Sequence, residues 1–264
     1  MNFHLTTKIG KRLWLIGGTT ESVALARAIA SWGLLCTVTV TTKAAEALYP
    51  QTTKLQVLVG RLNSEQLRQF FQQQQIGAVV DASHPYAVEI SQMAMRVAAE
   101  QQIPYLRFER PAAQAQADSS QVISLDSFDT LLAGNYLHQQ RVLLTIGCKA
   151  LPLFRNWQDK STLFARILPT VASLEASIAA GFSSDRLIAL RPPIPAKLEK
   201  ALWHHWDISL VVTKASGVAG GEEVKREIAA ELGIPLVVIA RPVVEYPQQT
   251  SDLAEALAFC QQNQ

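Results

Sequence analysis

Short apolar runs alternate with helical patterns along almost the whole chain, and this alternation limits the folds that the chain can adopt. The first run, residues 13–16, ends at Gly17 and Gly18, and an amphipathic helical pattern follows. The second, residues 35–40, is rich in β-branched residues, as strands are. Strands that are separated by helices pair in parallel, with helices on both faces of the sheet. We therefore predict an α/β protein.

The chain is long enough for two such domains. Its 264 residues, 48% of them hydrophobic, suit two modest α/β domains. Between two series of strands and helices, the composition changes around residues 111–121 to small and polar residues, which is typical of a linker. We therefore predict a domain of residues 1–115 that binds a dinucleotide and a domain of residues 116–264 that binds the substrate.

Composition excludes several classes of function. A formal net charge of +2 is too small for a protein that binds nucleic acid through bulk charge. The three cysteines form no C-x-x-C pair, so we expect no disulfide framework and no metal site. Because no apolar run reaches membrane-spanning length and the first twelve residues hold no apolar signal core, we expect a soluble cytoplasmic protein without a membrane partner. Both a monomer and a small homo-oligomer fit the sequence.

The turn after the first predicted strand has the features of an anion site. Gly17 and Gly18 allow the backbone to approach a phosphate, and the N–H groups of the first helical turn point at it. Thr19 and Thr20 can cap the helix or donate to phosphate oxygens. Thr20 stands where G-x-G-x-x-G has its second glycine, so the motif is incomplete and a plain strand–helix turn is the alternative. We assign these four residues and Glu21 to cofactor binding.

The end of the second predicted strand bears on the choice of cofactor. In NAD-binding folds this position usually carries an acidic residue for the ribose 2′-OH, whereas a 2′-phosphate needs donors or a cation. Here the residues are Thr41, Thr42 and Lys43. The sequence therefore favours NADPH over NADH, with a polar loop that binds no ligand as the alternative.

Polar and aromatic residues also gather after the fourth predicted strand, residues 78–82. Asp81, Ser83, His84 and Tyr86 stand at its carboxyl end, where open parallel sheets bind their ligands. A single histidine there would more often be structural, but the cluster favours a ligand role. We assign Ser83 and His84 to the cofactor and Tyr86 to the substrate.

Basic residues recur after the predicted strands in both halves. Because the carboxyl ends of parallel strands share one edge of each sheet, this repetition predicts a cationic rim for a multiply carboxylated or phosphorylated ligand. Ordinary surface lysines and arginines are the alternative. Besides Tyr86, the residues that we assign to substrate binding are Arg107, Arg110, Lys149, Arg191, Lys214, Ser216 and Gly217.

The sequence contains no familiar catalytic motif. It has no G-x-S-x-G elbow, no G-x-x-x-x-G-K-[ST] loop and no H-E-x-x-H pair, and no tyrosine is followed four residues later by lysine. The residues alone therefore indicate two α/β domains that bind a dinucleotide and an anion. They identify no catalytic side chain.

Five blocks of sequence carry a family resemblance. They are GGTTES at 17–22, DASHPYA at 81–87, PYLRFERP at 104–111, TIG at 145–147 and TKASGVAGG at 213–221. In this order and combination, the blocks resemble the precorrin-6A reductase family of cobalamin biosynthesis, and the similarity spans most of the chain. Ser22 departs from the alanine or glycine that is expected after the glutamate.

The resemblance implies two Rossmann-like domains with mainly parallel sheets and NADPH or NADH in the cleft between them. It implies an oxidoreductase of the CH–CH group that transfers a hydride to precorrin-6A or cobalt-precorrin-6A to give the 6B dihydro form. The cationic rim would pair with the acetate and propionate arms of this tetrapyrrole, and the conjugated ring accepts the hydride without a side-chain nucleophile. Two alternatives stay open: a dinucleotide sensor without turnover, and an NADP-dependent dehydrogenase of another anionic metabolite.

Overall fold

The computed structural model describes residues 10–111, 121–217 and 220–264. The chain divides into two compact units, Met1–Arg110 with Val243–Gln264, and Pro111–Pro242. Each unit contains a six-stranded sheet in which the strand pairs are parallel. The predicted α/β class with two Rossmann-like, parallel sheets is therefore confirmed. Residues 112–120 of the predicted linker, and with them the predicted boundary at 115, lie outside the described residues.

The elements follow the predicted alternation. In chain order the strands are β1 (Arg12–Ile16), β2 (Cys36–Val40), β3 (Leu55–Val59), β4 (Ile76–Asp81), β5 (Tyr105–Phe108), β6 (Val122–Leu125), β7 (Arg141–Thr145), β8 (Thr162–Ile167), β9 (Leu187–Ala189), β10 (Leu210–Lys214), β11 (Leu236–Ile239) and β12 (Gln249–Thr250). The α-helices are α1 (Thr20–Ser31), α2 (Lys43–Glu46), α3 (Ser64–Gln73), α4 (Val88–Glu100), α5 (Phe128–Ala133), α6 (Val171–Ala179), α7 (Ala196–His205), α8 (Glu222–Leu232) and α9 (Leu253–Gln262). Within the described residues, 3₁₀ helices cover Cys148–Trp157 and Ser184–Arg186.

Each sheet has a switch point, on either side of which successive strands are added toward opposite edges of the sheet. The first sheet has the order β12-β5-β4-β1-β2-β3, and the second has the order β6-β11-β10-β7-β8-β9. The switch points lie between β1 and β4 and between β7 and β10. Ligands of open parallel sheets bind in the crevice at such a switch point, beyond the carboxyl ends of the strands. The loops that leave these four strands are therefore the candidate ligand loops.

Both faces of the first sheet are buried, which explains the continuous apolar run of β1. Leu13 and Leu15 belong to the core on one face, and Trp14 belongs to the core on the other. The Trp14 ring meets Phe70 and Phe71 of α3 edge-on at centroid distances of 5.5 and 5.4 Å. Its indole N–H donates to the Thr39 hydroxyl at 2.9 Å, so the one polar atom of the ring is satisfied.

The second sheet is built in the same way. Leu144 of β7 packs with Phe154 on one face, and Leu143 packs with Trp203 on the other. Phe164 of β8 stacks on the ring of Trp206 at 4.4 Å. Successive residues of the central strands therefore enter opposite cores, as the twofold period of a strand requires.

The predicted second domain of residues 116–264 is wrong at its carboxyl end. Residues 243–264 belong to the first unit, where β12 pairs with β5 through Gln249–Arg107 and Thr250–Phe108. Helix α9 contributes Phe259 to the same core cluster as β1. A two-residue edge strand carries no apolar alternation, so only its tertiary contacts identify it.

Local chemistry sets where several elements begin. The N-cap of α3 is Asn63, because the Asn63 amide oxygen accepts from the Gln66 N–H while the Gln66 side chain accepts from the Asn63 N–H. Helix α4 begins three residues after Pro85, which lies in a turn. The segment after Gly147 forms a 3₁₀ helix.

The carboxyl-terminal segment should contribute strongly to the stability of the first unit. Phe259→Ala removes a buried ring, so we expect it to lower the free energy of unfolding by about 3 kcal/mol. Val243→Ala in the same segment is the matched control, because Val243 is 96% exposed, and it should change stability by less than about 0.5 kcal/mol. Urea denaturation measures both. Equal effects would contradict the packing of this segment into the first core.

Candidate functional site

The glycine turn after β1 is joined directly to the loop after β4. Thr19 is the N-cap of α1, and its hydroxyl oxygen accepts from the Ser22 N–H at 3.0 Å. The same hydroxyl donates to the Ala82 carbonyl at 2.8 Å. Gly18 is exposed and has φ +110°, a conformation that favours glycine. The structure therefore places the predicted glycine turn at the switch point of the first sheet.

The backbone N–H groups of this turn are directed inward. The Gly18 N–H donates to the Tyr49 hydroxyl at 2.8 Å and lies 3.2 Å from the Ser22 hydroxyl. The Thr19 N–H donates to the Ser22 hydroxyl at 3.0 Å. These two N–H groups, which precede the first helical turn, are therefore engaged within the protein. By helix geometry, the N–H groups of Thr20 and Glu21 follow next in the first turn and have no carbonyl acceptor within the helix.

Glu21 and Arg110, which the sequence assigns to different ligands, form an ion pair. One Arg110 nitrogen lies 2.9 Å from each Glu21 carboxylate oxygen. Burial raises the pKa of Glu21, but hydrogen bonds from its own backbone N–H and from Arg110 outweigh this and lower the pKa overall. Arg110 therefore neutralises a carboxylate at the amino end of α1. A small pocket beside this pair is lined by Thr19, Glu21, Ala82, Ser83, Pro85, Phe108, Glu109 and Arg110.

A buried carboxylate supports the loop after β4. Asp81 is 0% exposed, and its side chain accepts from the Tyr105 hydroxyl at 2.6 Å, the Ser91 hydroxyl at 2.5 Å and the Ser83 N–H at 2.9 Å. Burial, followed by the charge of Asp81, raises the pKa of Tyr105, so this hydroxyl stays protonated as a donor. Asp81 therefore acts within the protein and orients Ser83.

The assignment of Arg107 to the substrate is wrong. Its side chain is 0% exposed and pairs with Asp81 at 3.0 Å and with Glu109 at 2.7 Å. It also donates to the Ser83 hydroxyl at 3.1 Å. Its guanidinium lies 5.3 Å from the centroid of the Tyr246 ring. A charge in the sequence does not reveal whether it is exposed, and this one is enclosed by its partners.

The remaining residues of this loop divide into buried and accessible groups. Ser83 is buried, whereas His84 is exposed and Tyr86 is half-buried. The Tyr86 N–H donates to His84 Nδ1 at 3.3 Å, and the two rings are 5.7 Å apart. The accessible part of the predicted cluster is therefore this pair of rings.

The predicted 2′-phosphate residues form the start of a helix that the sequence analysis missed. Thr41, Thr42 and Lys43 are exposed, and the Thr42 hydroxyl caps α2 by accepting from the Ala45 N–H at 3.2 Å. Lys43 pairs with Glu46 at 2.9 Å. This exposed pair is weak, so it leaves the Lys43 ammonium accessible to an anion.

Two lysines follow the paired strands β7 and β10 at the switch point of the second sheet. Lys149 is exposed after β7, and Lys214 is half-buried at the end of β10. Burial lowers the pKa of Lys214, and the positive charge of Lys149 lowers it further. The Lys214 ammonium also lies 5.6 Å from the centroid of the Phe128 ring. Two neighbouring ammonium groups attract an anion strongly, so this is the part of the predicted cationic rim that the structure brings together.

Arg191 is not part of this pair. It is exposed and follows β9, the edge strand of the second sheet. β9 is two strands away from β7, which corresponds to about 10 Å across a sheet. The cationic rim is therefore less extensive than predicted.

Ser216 and Gly217 are buried, and their turn is held by the helix that follows. The Gly217 N–H donates to the Glu222 carboxylate at 2.9 Å, and the Lys225 ammonium donates to the Gly220 and Gly221 carbonyls at 2.9 and 3.0 Å. The Gly217 N–H is thus engaged within the protein. Residues 218 and 219 lie outside the described part of the chain.

The sequence analysis missed four side chains that shape these two turns. They are Ser22, Tyr49, Glu222 and Lys225. Glu222 and Lys225 occupy the first turn of a predicted helix, where charged residues usually face solvent, and Tyr49 is remote from its turn in sequence. Of these four residues, only Ser22 was distinctive in the sequence, because it replaces the alanine or glycine that is expected after the glutamate.

Over residues 10–111, 121–217 and 220–264, no three His, Cys, Asp or Glu side chains are grouped so that they could hold a metal ion. In that same part of the chain, every helix is too short or too polar to cross a membrane.

Comparison with known proteins agrees with the resemblance of the five blocks. A family model described as precorrin-6x reductase CbiJ/CobK matches residues 12–261. A cobalt-precorrin-6A reductase of Synechocystis sp. is 47% identical over 251 residues, which cover 95% of this chain and 96% of that protein. Another from Priestia megaterium is 32% identical over 246 residues, which cover 92% and 95%.

A solved structure described as CobK precorrin-6A reductase has the same fold. Its TM-score against this chain is 0.76 at 24% sequence identity, and the match covers 96% of this chain and 97% of that one. Sequence and fold thus agree over nearly the whole length, and the chain belongs to the precorrin-6x reductase family.

Proposed function

We propose that this protein reduces a precorrin macrocycle in cobalamin biosynthesis, converting precorrin-6A or its cobalt-containing form to the 6B dihydro product with NADPH or NADH. Relatives that are described as cobalt-precorrin-6A reductases share almost the whole chain. The observation that carries the proposal is that Lys149 and Lys214 follow the paired strands β7 and β10 at a sheet switch point, where the charge of Lys149 lowers the pKa of Lys214. Neighbouring ammonium groups suit the several carboxylate arms of this substrate.

The first unit suits a dinucleotide. Space is open beside the Gly18 Cα, where a side chain would meet nothing within 4 Å, and the amino end of α1 carries a partial positive charge. Glu21 would repel a diphosphate, but Arg110 neutralises it. When bound, the nicotinamide supplies the hydride. Gly17, Gly18, Thr19, Thr20 and Glu21 form the turn, with Arg110 and the Ser83–His84 loop beside it.

The protein contributes binding, orientation and charge to the reaction. Lys149 and Lys214 would hold carboxylate arms of the tetrapyrrole. A macrocycle whose carboxylates are held at fixed points presents its reducible bond in one orientation, which is the main contribution that positioning makes to rate. No nucleophile is required of this chain, because the conjugated ring itself accepts the hydride.

The activity assay tests the whole proposal. Purified protein is mixed with precorrin-6A, with or without cobalt, and with NADPH or NADH, and loss of the nicotinamide absorbance is followed together with the spectrum of the tetrapyrrole. We expect both to change at equal molar rates. Binding of NADPH without turnover would instead indicate a dinucleotide sensor, and turnover of another anionic metabolite alone would indicate a different dehydrogenase.

The cofactor preference should depend on the charge at Thr42. Thr42→Asp keeps an N-cap for α2, because aspartate caps as well as threonine does, and it places a negative charge where we propose that the 2′-phosphate binds. We expect the Kd of NADPH to rise about tenfold while the Kd of NADH stays unchanged. Thr42→Asn is the matched control, because it also caps but carries no charge. An unchanged ratio of the two Kd values in Thr42→Asp would remove this residue from the cofactor site.

Lys214 should contribute to substrate binding more than to stability. Lys214→Ala removes an ammonium whose burial is unfavourable, so we expect little loss of stability and a decrease in kcat/KM of about tenfold, the effect of one charge-assisted hydrogen bond. Lys214→Glu should be worse, and its defect should shrink as added salt screens the repulsion. The control is Lys197→Ala on α7, an exposed lysine outside the pair. Normal turnover by Lys214→Glu at low salt would show that this lysine does not face the substrate.

A further inference from the structure

Two buried hydroxyl groups lie directly beneath the glycine turn of the first unit. Tyr49 follows α2 and is 4% exposed, and Ser22 in α1 is 0% exposed. The two side-chain oxygens are 2.7 Å apart, although 27 residues separate them in the sequence. Neither residue belongs to the set that the sequence assigns to a ligand.

The direction of each hydrogen bond follows from the available protons. The Ser22 hydroxyl has one proton, and it goes to the Thr19 carbonyl at 2.7 Å. Tyr49 must therefore donate to Ser22, and the Tyr49 oxygen accepts from the Gly18 N–H at 2.8 Å. Burial raises the pKa of Tyr49, which keeps this donor protonated. The result is a continuous relay that runs from the Gly18 N–H through Tyr49 and Ser22 to the Thr19 carbonyl.

The relay also explains why position 17 is glycine. A Cβ on Gly17 would lie 2.4 Å from the Tyr49 oxygen and 3.0 Å from Val38 Cγ1, and the first contact is shorter than folded proteins tolerate. Gly18 differs, since a Cβ there would meet nothing within 4 Å. Gly17 therefore provides space for Tyr49 inside the protein, whereas Gly18 leaves space on the outer side of the turn.

We propose that Tyr49 and Ser22 are positioning residues for the dinucleotide. By engaging the N–H groups of Gly18 and Thr19 from below, they fix the peptide planes of the turn. The outer side of Gly18 and the amino end of α1 then stay open to the diphosphate. This inference rests on the proposed function, because it assumes that the first unit binds NADPH or NADH.

Removal of either hydroxyl should weaken cofactor binding selectively. In Tyr49→Phe and in Ser22→Ala, the Gly18 N–H loses one of its two hydroxyl acceptors. We therefore expect the Kd and the KM of NADPH to rise about tenfold. We expect kcat at saturating NADPH and the KM of the tetrapyrrole to stay within about twofold of wild type. A merely structural defect would lower kcat through a smaller active fraction and would leave the KM of NADPH unchanged.

Ser177→Ala is the matched control for Ser22→Ala. Ser177 is also buried in a helix and also donates to a backbone carbonyl, that of Ser173, at 2.7 Å, but it lies in the second unit. We expect Ser177→Ala to have the same stability loss as Ser22→Ala and a wild-type Kd for NADPH. Amide exchange of Gly18 and Thr19 gives a second readout that requires no cofactor, and it should accelerate at least tenfold in Tyr49→Phe.

A double-mutant cycle tests the link between Gly17 and Tyr49. Gly17→Ala alone should raise the Kd of NADPH at least tenfold, because its Cβ displaces the Tyr49 hydroxyl. In the Tyr49→Phe background the closest contact is absent, so the further effect of Gly17→Ala should be less than about threefold. Equal effects in both backgrounds would show that Tyr49 is not what position 17 accommodates, and would overturn the proposed relay.

The remaining outcomes separate this inference from the proposed function. Wild-type or tighter NADPH binding by both Tyr49→Phe and Ser22→Ala overturns the positioning role and leaves the reductase proposal intact. Failure of the wild-type protein to bind either NADPH or NADH overturns both. Ser22→Ala and Tyr49→Phe each remove one hydroxyl group of the same relay. If one variant folds poorly, the Kd of NADPH for the other variant tests the relay by itself.

Discussion

The ion pair between Asp81 and Arg107 supports the carboxyl end of the first sheet. Both side chains are 0% exposed, so each charge depends on its partners for the stabilisation that water would otherwise provide. Loss of one partner of such a pair typically costs about 3–5 kcal/mol, because the other charge stays buried and uncompensated. Asp81 ends β4, Arg107 lies in β5, and their hydrogen bonds reach α4 through Ser91 and the site loop through Ser83. The position of the β4 loop thus depends on two charges that are buried and paired within the protein.

Most of the fold follows from patterns that lie within single elements. The central strands are apolar because both sheet faces are buried, and the helical pattern predicted after Gly18 forms α1. Elements whose stability comes from remote partners were missed or misjudged. β12 has two residues, and β6 is an edge strand with little burial. The segment Cys148–Trp157 is a 3₁₀ helix that contains Pro152.

The sequence indicates where the candidate site residues lie in the fold more accurately than it indicates what they contact. The glycine turn and the pair of lysines lie at the switch points, as strand order predicts. Yet Gly17 accommodates a tyrosine hydroxyl, and Arg107 is enclosed by carboxylates. Residue type indicates what a side chain can do, whereas burial decides what it can reach, and burial depends on residues that are distant in the sequence. The roles of the remaining site residues stay predictions.

The return of the last segment to the first sheet has a consequence for synthesis on the ribosome. The second unit is continuous in sequence, so all of it has been synthesised by residue 242, while the first unit still lacks residues 243–264. Until β12 arrives, β5 presents an unpaired edge, and such an edge is a template for pairing with other chains. The amino-terminal unit begins first and is completed last. Its exposure to aggregation therefore lasts for the whole translation of the second unit.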